Sequence, residues 1–319
     1  MGNGEGSIHP GKLASNSLLL VSLALEAGGG SSTPILPRWR GGLVGYNPSM
    51  LQTAFHKTID LFFSFSWLRK AYWKFWYPLL TRKTAKEPLF FLNYAYVESP
   101  PADLRLEEAD EKDRPCIGLY HLVATQADLE GKEVLEVSCG HGGGASYVMR
   151  YLKPRKLTGL DLNPAGVEFC RQHHKLDGLE FIQGDAENLP FADASLDAVI
   201  NVEASHCYPR FPKFLAEVHR VLKPGGYFLY ADFRFKEYMA AWEQAIAASP
   251  LKVLKKENIS PEVLRGLDSL SDRSEKMVSK LLPSFLHWLG KDFSGTKGSR
   301  VYNSLQSGEM VYRAYCFQK

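Results

Sequence analysis

Between Gly131 and Phe233, five short apolar runs alternate with segments of helical periodicity, and this alternation constrains the fold more than any other feature of the sequence. The predicted strands are Val134–Val137, Lys156–Leu160, Leu179–Ile182, Leu196–Val202 and Tyr227–Ala231. The predicted helices among them are Ala145–Tyr151, Ala165–His174 and Phe211–Leu222. Strands that alternate with helices in this way form a parallel sheet covered on both faces, and ligands bind at the carboxyl ends of its strands.

The carboxyl-terminal part of the chain completes this sheet and adds helices. After Phe233 we predict two helices and two strands: the helices Glu237–Ala248 and Pro261–Leu289, and the strands Leu251–Ile259 and Glu309–Phe317. We therefore expect residues 114–319 to form one α/β domain with a mostly parallel, seven-stranded sheet. Within this domain, residues 238–306 are predicted to be a largely helical insertion, which suits either a substrate lid or an ordinary helical cap.

The first 113 residues differ in character from this domain. Residues 1–50 are rich in Gly, Ser and Pro and are predicted to be a disordered leader. Its apolar stretch, Leu18–Leu25, is too short to cross a bilayer, which takes roughly 20 apolar residues. Residues 51–113 are predicted to be a helical lid and linker, because apolar residues recur there at spacings of three and four. Aromatic and basic side chains interleave in this segment, which suits either a peripheral contact with an anionic membrane or a packed helix with solvated cations.

Composition limits the function classes. The 38 Lys and Arg residues exceed the 35 Asp and Glu residues by only 3, whereas nucleic-acid-binding proteins usually carry a larger or more clustered excess. The five Cys residues form no Cys-x-x-Cys pair, which argues against a disulfide framework or a zinc site and favours a reducing compartment. We therefore expect no nucleic-acid partner and no metal ion, and a cytoplasmic location, either free or peripheral at the inner face of the membrane.

A glycine-rich loop follows the first predicted strand directly, as Glu136-Val137-Ser138-Cys139-Gly140-His141-Gly142-Gly143-Gly144. Glycines let the backbone approach a ligand closely, and the next helix presents its amino terminus there. The loop alone leaves two cofactor classes open, because Gly140-x-Gly142-x-x-Ala145 also satisfies the dinucleotide pattern of NAD(P)-dependent oxidoreductases, with Asp161 at the distance expected for a ribose contact.

Acidic residues after successive strands separate these two classes. Glu136 would repel a pyrophosphate, whereas it would attract a sulfonium and an α-amino group. Asp185 follows the third strand, where a carboxylate can accept a hydrogen bond from an adenine amine. The Tyr-x-x-x-Lys pattern of short-chain dehydrogenases occurs only at Tyr315–Lys319, the end of the chain, and not in its middle. Each acid taken singly is explained equally well as a helix cap or a surface charge, but their succession favours a sulfonium-bearing nucleotide.

This succession resembles that of the class I S-adenosylmethionine-dependent methyltransferases, which have a Rossmann-like fold. From about Trp73 onward the chain more closely resembles one group, the mycobacterial phthiotriolone/phenolphthiotriolone dimycocerosates methyltransferases. The stretches that carry this resemblance include KFWYPLLTR, LEVSCGHGGGASY, TGLDLN, GDAENLPF, NVEASHCYP and RVLKPGGYF. The resemblance implies S-adenosylmethionine as cofactor and a hydroxyl on a long-chain, diol-type lipid as acceptor. Residues 1–60 have no counterpart in it, and Ser138 stands where most class I enzymes carry the first loop glycine.

The resemblance also implies which residues bind the cofactor. Those expected to line its methionine and ribose parts are Glu136, Ser138, Gly140, Gly142, Asp161 and Leu162. Asp185 and Ala186 are expected to hold the adenine, and Asn201 to lie beneath the sulfonium.

One histidine is placed to act in catalysis. An aliphatic alcohol is a poor nucleophile until its proton leaves, and histidine is the usual general base. His206 follows the fourth strand, and it resembles the catalytic histidine of sugar O-methyltransferases, whose aspartate partner is matched here by Asp232. The alternative is a structural or substrate-orienting histidine. Three functions stay open at this point: methylation of this or another lipid or natural product, NAD(P)-dependent oxidoreduction, and non-catalytic lipid binding.

Overall fold

The seven predicted strands form one sheet in a computed structural model that describes residues 89–99, 103–282, 284 and 287–319. The strands are β1 (Glu133–Val137), β2 (Lys156–Asp161), β3 (Leu179–Gln183), β4 (Leu196–Val202), β5 (Leu222–Phe235), β6 (Lys252–Asn258) and β7 (Met310–Gln318). Their order is β3-β2-β1-β4-β5-β7-β6, and β7 runs antiparallel to both of its neighbours. The expectation of a mostly parallel, seven-stranded α/β sheet is confirmed. The predicted leader and most of the aromatic, basic segment that follows it lie outside the described residues.

Helices cover both faces of this sheet. They are α1 (Arg114–Ala124), α2 (Gly143–Tyr147), α3 (Pro164–His173), α4 (Phe211–Val221), α5 (Lys236–Ala248), α6 (Ser260–Leu281), α7 (His287–Phe293) and α8 (Arg300–Gln306). Strand β1 shows why two layers form, because Val134 is buried with α1, α6 and α8 while Leu135 and Val137 are buried with α4 and α5. Side chains alternate between the two faces of a strand, so a strand that is apolar at both kinds of position needs helices on both sides.

Two helix predictions were wrong in their bounds. The helix predicted over Pro261–Leu289 ends at Leu281, because Leu282 is extended (φ −119°, ψ 145°), and a separate helix begins at His287. The helix predicted over Ala145–Tyr151 begins two residues earlier and passes into a π-helical turn at Val148–Leu152. The described part of region 238–306 is largely helical but also contains β6, which corresponds to the predicted strand Leu251–Ile259.

An extended segment without regular structure crosses the domain ahead of α1. We call residues 89–97 the strap. The amide of Gly143 donates a hydrogen bond to the Phe90 carbonyl (3.2 Å), and the Val97 amide donates to the Glu262 carbonyl (3.1 Å). The strap therefore joins the glycine-rich loop to α6. None of the helices in the described ranges is long and apolar enough to cross a membrane.

Candidate functional site

A cavity lies at the carboxyl ends of β1 to β4, where the strand order reverses between β1 and β4. Open α/β sheets bind their ligands at such a reversal. The described residues that line it are Phe90, Leu92, Asn93, Tyr120, Ser138, Cys139, Gly140, His141, Asp161, Leu162, Asn163, Asp185, Ala186, Glu187, Val202, Glu203, Ala204, Cys207, Tyr208 and Pro209. The strap thus supplies one wall, and the loops after β1 to β4 supply most of the rest, together with Tyr120 of α1.

The glycine-rich loop owes its shape to left-handed backbone positions and to one carboxylate. Ser138 (φ 60°), Gly140 (φ 57°) and Gly142 (φ 76°) all have positive φ, so Ser138 adopts a conformation that normally favours glycine. Asp161 accepts hydrogen bonds from the amides of Gly140 (2.9 Å) and Asn163 (2.8 Å). These bonds hold the loop after β1 against the end of β2. Burial raises the pKa of Asp161 to about 6, although the two amides lower it.

Two buried acceptors behind the cavity wall have oxygens without a hydrogen-bond partner among the described residues. Glu136 is 2% exposed, and its Oε1 accepts a hydrogen bond from the Tyr120 hydroxyl (2.8 Å), which leaves Oε2 unpartnered. The amide nitrogen of Asn201 donates to the Val137 carbonyl (2.9 Å), and its Oδ1 is unpartnered. Burial raises the pKa of Glu136 to about 8. Because buried polar atoms normally have partners, these oxygens fit a cationic, hydrogen-bond-donating ligand such as S-adenosylmethionine.

The loops after β2 and β3 form the other end of the cavity. Leu162, Asp185 and Ala186 line it, and Asp185 accepts a hydrogen bond from the Glu187 amide (3.0 Å). The buried Glu187 carboxylate also binds Arg210 (2.9 Å), so its charge is neutralised within the protein. Within the described ranges, no group of three or more His, Cys, Asp or Glu residues is arranged to hold a metal ion.

His206 and Asp232 are in direct contact. His206 lies in a short turn after β4, and its Nδ1 is 2.9 Å from Oδ1 of Asp232. Asp232 is fully buried within β5 and is also 3.1 Å from Arg234. Burial raises the pKa of Asp232, but the charges of Arg234 and His206 hold it far below its ordinary value. Burial lowers the pKa of His206, but the Cys207 sulfur and the Asp232 carboxylate raise it to about 10.

The predicted site residues therefore converge, but not all of them reach the cavity surface. Six of the predicted cofactor-binding residues line it: Ser138, Gly140, Asp161, Leu162, Asp185 and Ala186. Glu136, Gly142 and Asn201 contact protein groups behind that surface; a Cβ on Gly142 would lie 3.0 Å or less from His174, Cys170 and Phe181. Their roles in binding, like those of His206 and Asp232 in catalysis, remain predictions.

Sequence reasoning missed several residues of the site. Tyr208 donates or accepts a hydrogen bond with the Ser138 hydroxyl (2.6 Å), and Glu203 lines the cavity next to it. Both lie in the NVEASHCYP stretch, so their position after a predicted strand was an available signal. The strap offered no such signal, because it contacts residues well outside its own segment, such as Pro115, Cys116 and Glu203.

Comparisons with known proteins agree with this geometry. Residues 135–230 match a family described as "Methyltransferase domain". The chain is 55% identical over 250 residues to a phthiotriol/phenolphthiotriol dimycocerosates methyltransferase of Mycobacterium tuberculosis (strain ATCC 25618 / H37Rv), covering 78% of this chain and 93% of the relative. It is 50% identical over 244 residues to a fatty-acid O-methyltransferase of Mycolicibacterium smegmatis, covering 76% and 88%.

The fold has counterparts among solved structures. A putative sarcosine dimethylglycine methyltransferase from Galdieria sulphuraria superposes with a TM-score of 0.61 at 13% identity, covering 76% of this chain and 98% of that one. This likeness concerns the fold alone. The sequence relatives are methyltransferases, and they decide against the oxidoreductase that the glycine pattern had left open.

Proposed function

We propose that this chain transfers a methyl group to a hydroxyl of a long-chain lipid. The chain belongs to the class I S-adenosylmethionine-dependent methyltransferases and, within them, to the group of the phthiotriol/phenolphthiotriol dimycocerosates methyltransferases. The relative's name gives the lipid as a phthiotriol type, where the sequence had suggested a phthiotriolone type. The shared feature is a hydroxyl group on a large apolar molecule.

The charge of the cavity wall is the observation that carries the choice of a hydroxyl. Four carboxyl groups line it, from Asp161, Asp185, Glu187 and Glu203, and its described lining includes no Lys or Arg. Glu187 is paired with Arg210, and burial raises the pKa values of Asp161 and Glu203, so the wall is only partly ionised. It offers no cation to bind a carboxylate acceptor, whereas a neutral hydroxyl needs none. The same wall attracts a cationic methyl donor.

The residues around the cavity fit S-adenosylmethionine, whose sulfonium, when bound, supplies an electrophilic methyl group. Glu136 and Asn201 offer acceptor oxygens on the side of β1 and β4. Asp161 keeps acceptor capacity for a ribose, because each carboxylate oxygen has a second lone-pair site beyond the amide it already binds. Asp185 and Ala186 lie at the opposite end, as an adenine contact requires.

Removal of the hydroxyl proton falls to the pair of His206 and Asp232. Because Asp232 occupies Nδ1, we assign the proton transfer to Nε2. The carboxylate fixes the tautomer and stabilises the imidazolium, and it helps to raise the pKa of His206 to about 10. Near neutral pH, only the unprotonated fraction of His206 can therefore take the hydroxyl proton. The His206 ring is also stacked on Phe233, with ring centroids 4.4 Å apart, so its orientation is held on two sides.

Methylation of a fatty acid is the second candidate, because of the 50% identity to a fatty-acid O-methyltransferase. The full chain would be incubated with methyl-labelled S-adenosylmethionine and either a long-chain secondary alcohol or a free fatty acid. We expect label in a methyl ether, which resists alkaline hydrolysis. Label released as methanol by alkali would instead identify a methyl ester, and no transfer to either lipid would support a non-catalytic lipid-binding protein.

His206→Ala tests the base in the same assay. It should bind S-adenosylhomocysteine as the wild type does and lose on the order of a hundredfold or more in turnover with the alcohol. Turnover near the wild-type value would remove His206 from proton transfer.

A further inference from the structure

A largely buried arginine contacts the same carboxylate as His206, through the other carboxylate oxygen. Arg234 lies on β5, two positions after Asp232, and its side chain is 11% exposed. Nδ1 of His206 is 2.9 Å from Oδ1 of Asp232, whereas a guanidinium nitrogen of Arg234 is 3.1 Å from Oδ2. One permanent cation and one titratable group therefore share a single carboxylate.

Hydrogen bonds and an aromatic ring hold the Arg234 guanidinium in place. It donates to the Phe233 carbonyl (2.6 Å) and to the Ser205 hydroxyl (2.9 Å). That hydroxyl in turn donates to Oδ2 of Asp232 (2.6 Å). The guanidinium also lies over the ring of Trp242, 4.7 Å from its centroid. A guanidinium has five N–H donors in a planar fork, so one side chain makes all of these contacts and stays fixed beside Asp232.

Several other titratable groups surround His206 and Asp232. Those that interact with this pair come from the loop after β4, from β5 and from β7: Glu203, Cys207, Tyr208, Tyr230 and Tyr312. Burial raises the pKa values of the three tyrosines and raises that of Glu203 to about 8, so these four groups are mainly uncharged near neutral pH. Arg313 lies opposite Asp232 in the register of β5 and β7, but its guanidinium binds the Glu243 carboxylate of α5. The cation that offsets the charge of Asp232 is therefore Arg234.

We propose that Arg234 is a positioning residue for the methyl transfer: it holds Asp232 against His206 and offsets part of the carboxylate's charge, which limits protonation of the imidazole. While His206 is neutral, the charges of Arg234 and Asp232 cancel. Protonation of His206 then leaves one uncompensated positive charge in a buried cluster, which is unfavourable. Without Arg234, the same protonation would neutralise a buried carboxylate, so the imidazolium would be favoured. This inference rests on the proposed methylation of a hydroxyl, with His206 as the base.

Arg234→Met in the full chain tests this role, because it removes the charge and keeps a side chain of similar length. Turnover with a long-chain secondary alcohol should fall at least tenfold near neutral pH, and the rising limb of its pH profile should move up by about one unit, because each unit lowers the unprotonated fraction of His206 tenfold. Arg234→Lys keeps the charge and should stay within threefold of the wild type, with an unshifted profile. Both variants should keep their affinity for S-adenosylhomocysteine within threefold, since Arg234 is not among the described residues that line the cavity. Arg234→Gln covers the case in which the Met variant does not fold, and it should shift the profile in the same direction.

Arg150→Met is the matched control. The Arg150 guanidinium also binds a carboxylate, that of Asp110 (2.6 Å), and lies over an aromatic ring, that of Tyr151 (5.1 Å), but it is outside the described cavity lining. Its pH profile should match that of the wild type. A loss of turnover in Arg234→Met that is equal at every pH would identify a purely structural role and overturn the proposal, and so would a shifted profile in Arg234→Lys.

NMR titration of the His206 imidazole, assigned by comparison with His206→Ala, measures the same effect without turnover. At each alkaline pH, a larger fraction of His206 should be protonated in Arg234→Met than in the wild type and in Arg150→Met. Equal titrations in all three proteins would reject the role of Arg234. Absence of methyl transfer by the wild type to any alcohol would instead reject the proposed function, and the titration would still decide whether Arg234 limits protonation of His206.

Discussion

Three acids of this site, Glu136, Asp161 and Glu203, are unusual as individual residues, because burial raises the pKa of each towards neutrality. Glu136 and Glu203 have a pKa of about 8, and that of Asp161 is about 6. A buried carboxyl group ionises readily only when a positive charge is close. The buried carboxyl groups therefore become fully ionised when a cation binds. Because their ionisation also depends on pH, the affinity for a cationic cofactor depends on pH.

S-Adenosylmethionine should accordingly bind more tightly as pH rises from about 6 to about 8. A cation favours the ionised carboxylates, so at low pH it has to displace protons from Glu136 and Asp161, and above their pKa values it does not. Titration calorimetry at several pH values measures this. S-Adenosylhomocysteine carries the same α-amino group without the sulfonium, so its affinity should depend less on pH. Glu136→Gln should reduce the difference in pH dependence between the affinities for the two ligands. An equal pH dependence for both ligands in the wild type would contradict this account.

Among the elements, the strap contributes directly to the site. It supplies Phe90, Leu92 and Asn93 to the cavity wall, and its Tyr94 amide binds Glu203. Its position depends on glycines in the partner elements, because a Cβ on Gly143 would lie 2.7 Å from the Phe90 carbonyl oxygen. A side chain at such a position would displace the strap from the helix.

Gly266→Ala, on α6, should destabilise the protein and weaken cofactor binding together. Its Cβ would lie 2.7 Å from the Tyr96 amide nitrogen and closer still to the Ala95 carbonyl, so the strap would have to move. Forcing extra volume into a packed contact typically costs about 1–3 kcal/mol. Thermal melts and calorimetry with S-adenosylhomocysteine give both quantities. Lys276→Ala, at an exposed position of the same helix, is the control. If the Gly266→Ala protein matches this control in both melting temperature and affinity for S-adenosylhomocysteine, the strap does not depend on this contact.

The elements that sequence predicted best are those with a strong local pattern. Six of the seven strands were predicted to within one residue at each end, mostly because they are apolar runs bounded by turn residues, whereas β5 begins five residues before its predicted start. Helix bounds failed at Leu281, where the apolar periodicity continues past the point at which the backbone becomes extended. The insertion of β7 between β5 and β6, and the docking of the strap, depend on contacts distant in sequence, which no local pattern encodes.

The whole molecule has an uneven distribution of charge. Residues 51–86 contain seven cations and one acid, an excess of 6, whereas the complete chain has a net charge of only +3. The remainder of the chain is therefore net acidic by 3. Aromatic residues are interleaved with these cations, among them Trp67, Trp73 and Trp76. This segment lies outside the described residues, so its function is argued from its composition.

We expect residues 51–86 to bind the intact protein to anionic vesicles in a salt-sensitive manner, which would bring the site to a lipid acceptor that does not dissolve in water. Each cation near an anionic surface contributes up to about 1 kcal/mol, and inserted aromatics add hydrophobic burial.

Co-sedimentation with vesicles of phosphatidylglycerol and phosphatidylcholine would compare the wild type with a variant in which Arg69, Lys70 and Lys74 are changed to Glu. A matched variant changes three exposed lysines of the described region to Glu: Lys132, Lys252 and Lys276. The first variant should lose most of its binding at about 0.1 M salt, where charges interact over roughly 10 Å, and the second should lose much less. Equal sedimentation of all three folded proteins would reject membrane contact through this segment, and it would leave the methyltransferase assignment intact because that rests on the cavity and the relatives.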